Sequence, residues 1–247
     1  MSQQDEYRYT AFSEQVTTGE GPLKSYMRLA VGSDSYLQLA LYELIFGICS
    51  WIPGGVGYFL RQKLYRFLFR SFGRGVMIGR NVLFRCPGKI VIGNNVAIED
   101  NCCFDARGEQ AQIILEEKVT IGRNTIFRSR GETIRVGKGA SIGANCLFGT
   151  DSSLTIGEDV LIAAYCYLSA AGSHNYSDPD LPIIKQGVTR KGGIRVENGA
   201  WLGAHTVVLD GVEVGQGAII GAHSLVNKDQ PAKSISFGSP AKVVRYR

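Results

Sequence analysis

Few side chains in this 247-residue chain can exchange a proton near neutral pH: three histidines, His174, His205 and His223, accompany six cysteines. Histidine is the side chain whose ordinary pKa sits in that range. His174 lies in the run Gly172-Ser173-His174-Asn175-Tyr176, where it can serve as a base. His205 and His223 stand 18 residues apart. The cysteines show no C-x-x-C spacing, and no secretory leader is recognisable, so free thiols in a reducing cytoplasm are expected.

The elements that must position these groups are written in the glycines. There are 31 glycines but only seven prolines, and the excess follows a lattice. Aliphatic-glycine pairs recur, as in Ile92-Gly93, Ile121-Gly122, Ile142-Gly143, Leu202-Gly203 and Ile220-Gly221. Val196, Leu202, Val208, Val214, Ile220 and Val226 run in unbroken steps of six. A period of six fits neither a helix nor a hairpin sheet. It predicts a triangular coil of about 18 residues per turn, aliphatic side chains inside and coils stacked by parallel pairing. About eight coils are expected, with glycine permitting the backbone to turn each corner. The fifth position of each hexad is small, which places Cys102, Cys146 and Cys166 in the core as compact apolar residues. His205 and His223 then stack in one outward column on adjacent coils. Extra residues follow Phe104, Phe127, Phe148 and Leu168, so loops leave one corner. The longest interruption, Ser169 to Arg195, holds His174, and a long loop in a compact repeat is more often functional than accidental.

Over residues 76–247 the pattern resembles the hexapeptide-repeat acyltransferases, in particular the galactoside, maltose and capsular-polysaccharide O-acetyltransferases. The resemblance implies an all-β fold, a left-handed parallel β-helix, assembled as a homotrimer with its sites between subunits. It implies acetyl-CoA as co-substrate, no metal, and a hydroxyl-bearing acceptor such as a sugar or polysaccharide precursor. His174, after Leu168-Ser169-Ala170-Ala171-Gly172, matches the family's general base, and Asn145 matches its acceptor-binding asparagine. The coenzyme contacts carry over to Ala204, Ala222, Asn227, Lys228, Lys242 and Arg245, with Trp201 beside the pantetheine arm. The family often has a hydroxyl residue at the position of Ala204 and a threonine at that of Asn227. A backbone N–H would therefore have to stabilise the oxyanion. Two alternatives stay open: a carbonic-anhydrase-like zinc hydratase using His205 and His223, although the close histidine pair of those enzymes is missing, and a non-catalytic scaffold.

Residues 1–75 leave the lattice. A polar stretch over 1–22 precedes an aromatic and aliphatic region, and the uncharged run Leu44 to Leu60 is broken by Pro53-Gly54-Gly55. That predicts two short helices rather than a membrane span. Arg61, Lys63, Arg66, Arg70 and Arg74 lie among aromatic residues, so this region reads equally as a peripheral membrane-surface anchor or as a cap on the open coil. The composition, 45% hydrophobic and 20% charged, excludes a disordered chain. The net charge of +5 suits a phosphate-bearing coenzyme or anionic lipid. Basic residues past 76 are dispersed, and nucleic acid is not expected as a partner.

Overall fold

A computed structural model describes residues 21–247. Residues 1–20 of the polar stretch over 1–22 therefore lie outside the described residues. Three parallel sheets wind around one core, the first and third of seven strands each and the second of nine. Each coil crosses them in the same order, and each strand pairs in parallel with the same strand of the next coil, as in Ile92↔Leu115, Ile142↔Ile162 and Phe148↔Leu168. The first strand is Ser71–Phe72, five residues ahead of the lattice seen in the sequence. Seven coils are complete rather than eight. Beyond Val226 the first face continues only as the parallel bridge Val214↔Gln230, and the second with Ser234–Phe237 in parallel and Lys242–Tyr246 folded back antiparallel upon it.

Burial follows the lattice. Val196, Leu202, Val208, Val214, Ile220 and Val226 are all buried. Behind the third face Phe84, Phe104, Phe127 and Phe148 stack with ring centroids 5.1, 5.2 and 4.6 Å apart. Each such buried side chain contributes about 2–3 kcal/mol by leaving water. Cys102, Cys146 and Cys166 are buried at the small position, their thiols 3.2 Å from the carbonyls of Gly122, Ala163 and Gly203 in the adjacent coil. All six cysteines are free.

Gly139, Gly199 and Gly217 turn corners at positive φ as expected, but the glycines that directly follow the aliphatic residues have a different cause. Gly143 does not sit in the left-handed region; that conformation belongs to Asn145 two residues on, at φ 59°. The same corner position places Asn81, Asn101, Asn124, Tyr165, His205 and His223 at positive φ, with Glu99 and Ala163 standing where the glycine would be before Asn101 and Tyr165. What Gly143 supplies is room: a Cβ there would lie 2.6 Å from the backbone nitrogen of Ala164. Adjacent coils approach too closely at that point for any side chain, while asparagine, whose short polar side chain tolerates the left-handed region, turns the corner.

The N-terminal region forms helices α1 (Pro22–Tyr26, prolonged by a wider turn to Val31), α2 (Tyr36–Cys49) and α3 (Gly54–Leu64). Ser35 caps α2 through its side-chain oxygen, and Pro53 precedes α3, which accounts for the break in the apolar run. Ile45 and Cys49 of α2, with Tyr65 and Phe69, join the same core as Val76 and Ile78, so these helices pack on the first coil. Arg61 departs from the sequence reading. Instead of facing outward it is fully buried and donates hydrogen bonds of 2.8 Å to the carbonyls of Ile78, Cys49 and Ile52.

Candidate active site

Loops leave the prism where the third face turns into the first, as the spacing predicts. The longest of them carries His174. Strand Ser173–His174 pairs antiparallel with Val188–Thr189, with His174 opposite Val188, so the base candidate stands on a short hairpin. A clamp of side chains shapes that hairpin. Thr189 donates to Asn175 Oδ1 at 2.7 Å, Asn175 Nδ2 donates to Gln186 O at 3.1 Å, and Gln186 Nε2 donates to the carbonyls of Asp178 and Leu181. At the loop's return the carboxylate of Asp210 accepts from the backbone nitrogens of Lys191 at 2.7 Å and Gly193 at 2.8 Å. His174 is exposed and lines a cavity of about 710 Å3 with Tyr176, Asp178, Lys185 and Thr189.

Asn145 occupies the opposite edge of the third face, at the corner where the second face ends. Its Oδ1 accepts from Asn124 Nδ2 at 3.0 Å, and its nitrogen donates to Arg123 O. Between these edges run strands such as Leu147–Thr150, and at about 3.3 Å per residue the two corners are roughly 15 Å apart. One chain thus holds Asn145 and His174 on different edges.

The coenzyme candidates divide in the same way. Ala204 and Ala222 lie on the Asn145 edge, each one residue before a left-handed corner residue, half-buried and exposed respectively. Beside them on the second face stands Trp201, 46% exposed, in register with Leu161 and Ile219. Lys242 and Arg245 are exposed on the returning strand of that face, opposite Phe237 and Ile235. Asn227 and Lys228 follow the last strand of the third face, on the His174 edge two coils further along.

The outward column predicted for His205 and His223 is present, with ring centroids 4.5 Å apart and planes within 7°. Tyr165, which the sequence reading did not single out, continues it at 4.8 Å. The histidines lie face to face instead of converging on one point. No group of three or more His, Cys, Asp or Glu able to hold a metal occurs among the described residues.

Sequence reasoning also missed Asp210 and the buried Asp151, which precedes the first residues of its coil's corner loop. Burial pushes the Asp151 carboxyl above its ordinary range against the pull of Arg130, Arg190 and Arg128. An aspartate directly after a third-face strand, at a corner otherwise given to loops, is the sequence signal that could have found both.

Stacked triangular coils of hexads define a class of transferases. The signature described as bacterial transferase hexapeptide (six repeats) matches residues 193–228. Galactoside O-acetyltransferase of Escherichia coli (strain K12) is 30% identical over 165 residues, which cover 64% of this chain and 79% of that protein. A probable acetyltransferase of Mycobacterium tuberculosis is 32% identical over 160 residues, 65% of this chain but 51% of the relative, so the chain spans about half of that protein's length. Among solved structures, AntD, an N-acyltransferase from Bacillus cereus in complex with dTDP and 3-hydroxybutyryl-CoA, shares the fold with a TM-score of 0.52 at 21% identity, covering 76% of this chain and 88% of that one. This chain belongs to the hexapeptide-repeat acyltransferase family, and its prism is a left-handed parallel β-helix.

Proposed function

We propose that this protein transfers an acetyl group from acetyl-CoA to a hydroxyl of a sugar or polysaccharide precursor. The observation that carries the reading is His174, exposed on a clamped hairpin and lining a cavity of about 710 Å3, in a chain similar to a galactoside O-acetyltransferase. His174 accepts the acceptor's hydroxyl proton as that oxygen attacks the thioester carbonyl. The tetrahedral oxyanion is held by backbone N–H donors, the C–S bond breaks, and the proton passes to the departing coenzyme A thiolate. Asn145 orients the acceptor. The coenzyme lies along the stripe of Ala204 and Ala222 beside Trp201, with Lys242 and Arg245 meeting its phosphates and Asn227 and Lys228 completing the contacts.

Because the two edges of the third face carry different parts of this set, each site takes its His174 edge from one chain and its Asn145 edge from a neighbour in a homotrimer. The location is the cytoplasm, with a peripheral seat on the membrane face through the N-terminal helices. Labelled acetyl-CoA incubated with a panel of sugars, nucleotide sugars and amines identifies the acceptor. His174→Ala should then lower transfer by about 10²–10⁴-fold while coenzyme affinity holds. Wild-type transfer by His174→Ala on a verified acceptor would remove the mechanism.

A further inference from the structure

Closing the first coil uses only one side of α2, on which Tyr42, Ile45 and Cys49 are buried. Leu37, Leu41, Leu44 and Ile48, spaced four, three and four residues apart, make a second apolar stripe on another side of the same helix. Leu37 is 80% exposed and Leu44 60%. The stripe continues to Trp51, 62% exposed, whose indole nitrogen donates to Gly47 O at 2.9 Å. A helix apolar on two sides ordinarily covers both, and a contiguous exposed apolar patch rimmed by polar residues marks an interaction site.

The surroundings are cationic. Leu41 and Phe67 border one cavity of about 240 Å3, which joins the stripe to the segment after α3. The Arg66 guanidinium stands 5.9 Å from the Phe67 ring and the Lys63 ammonium 5.6 Å from the Phe59 ring, each long side chain laid along an aromatic. Arg70 is exposed as well. Between Tyr36 and Arg74 the sole acidic residue is Glu43, which accepts a hydrogen bond from the Tyr26 hydroxyl.

We propose that this surface docks on an anionic bilayer, with α2 in the plane of the interface, the Leu37-to-Trp51 stripe at the headgroup–acyl boundary, and Lys63, Arg66 and Arg70 on lipid phosphates. The proposal deepens the peripheral-contact part of the function above and does not depend on the transfer chemistry. Charge selects lipid over a second copy, because pairing this surface with itself sets its cations against their own images with only Glu43 to answer them. Length selects lying over crossing. No described helix is long and apolar enough to span a membrane, whereas an apolar stripe with tryptophan and flanking cations suits the interface.

Flotation of the full chain with vesicles tests this, comparing pure phosphatidylcholine with phosphatidylcholine containing phosphatidylglycerol at low salt. Wild type should float with the anionic vesicles and lose them at high salt. Leu44→Glu/Ile48→Glu, both exposed positions, should lower the bound fraction at least fivefold, and Lys63→Glu/Arg66→Glu/Arg70→Glu should do the same without touching the stripe. In a Trp201→Phe background, Trp51 emission should shift to the blue on anionic vesicles. His174→Ala should float as wild type does, which separates this dock from the catalytic reading. No enrichment of wild type on anionic vesicles overturns the proposal, as does binding that neither charge variant weakens. If Leu44→Glu/Ile48→Glu instead dissolves a self-associated species in sedimentation and vesicles bind nothing, the occupant is a second copy and the lipid dock is wrong.

Discussion

At the scale of single residues, each side chain at a corner answers to the backbone before it answers to chemistry. Asn145 has a reason to be asparagine without any acceptor, since its φ of 59° favours that residue type. His174 has no such constraint, for it stands on a hairpin beyond the lattice. The lattice made the inward positions readable in the sequence, including the three core cysteines, because period six separates inside from outside. The cause of the glycines was not readable, since the sequence does not distinguish a residue chosen for its φ from one chosen because a neighbouring backbone lies 2.6 Å away. Asp151 makes a prediction at this scale. Burial raises its carboxyl in the folded chain, so the folded state binds more protons than the unfolded one above the ordinary carboxylate value of about 3.9. Stability is therefore greatest below that value and falls as pH rises through the folded pKa. Asp151→Asn should raise the melting temperature at neutral pH, and the gain should vanish towards pH 3. Thermal melts across that range check it, and a loss of stability at pH 7 would assign the carboxylate to pairing with its arginines.

Elements carry the second layer. The existence and corner of the long loop were legible from the missed lattice steps, but its internal order was not. Asn175 and Thr189 meet across 14 residues, and Asp210 reaches back to nitrogens 19 and 17 residues earlier, spacings that belong to no period. Arg61 misled for a related reason. A cation in an aromatic stretch looks lipid-facing, yet carbonyls from two segments, the end of α2 with its following turn and the strand residue Ile78, converge on it and hold it inside. Asp210 fixes the loop's return and hence the placement of the hairpin. Asp210→Ala removes a charged acceptor from two backbone nitrogens, each bond worth about 1.5–3 kcal/mol. Hydrogen exchange at Lys191 and Gly193 should speed up, and acetyl transfer should fall about tenfold as the proposed base loses its position. Coenzyme affinity should stay within about twofold, and Asp210→Asn, which keeps one acceptor oxygen, should recover part of the rate. Unchanged exchange at both nitrogens would show that the loop is held elsewhere.

On the scale of the whole molecule, a prism has three edges, and this one loads two of them unequally. The hairpin of His174 and the segment Asn227-Lys228 share one edge of the third face, while Asn145, Ala204 and Ala222 share the other. A rigid stack of seven coils cannot fold these edges together, because every strand of the third face is tied to its neighbours along the whole column. The roughly 15 Å between them is fixed by strand length. In the proposed homotrimer, a second copy turned about a rotation axis parallel to the prism would bring one edge type against the other, and three such heterologous contacts would close a ring. The proposed stoichiometry has a consequence that no single-chain site shares. His174→Ala and Asn145→Ala should each be poorly active alone. Mixed by co-expression in equal amounts, they form sites at random, and a site is intact when its histidine edge comes from an Asn145→Ala chain and its asparagine edge from a His174→Ala chain. That combination has a probability of one half times one half, so about a quarter of wild-type activity per site should return. Purified homotrimers of the two variants, mixed without subunit exchange, should give none. If co-expression restores nothing while mixed trimers are verified by mass, both edges act within one chain, and the shared site must be given up.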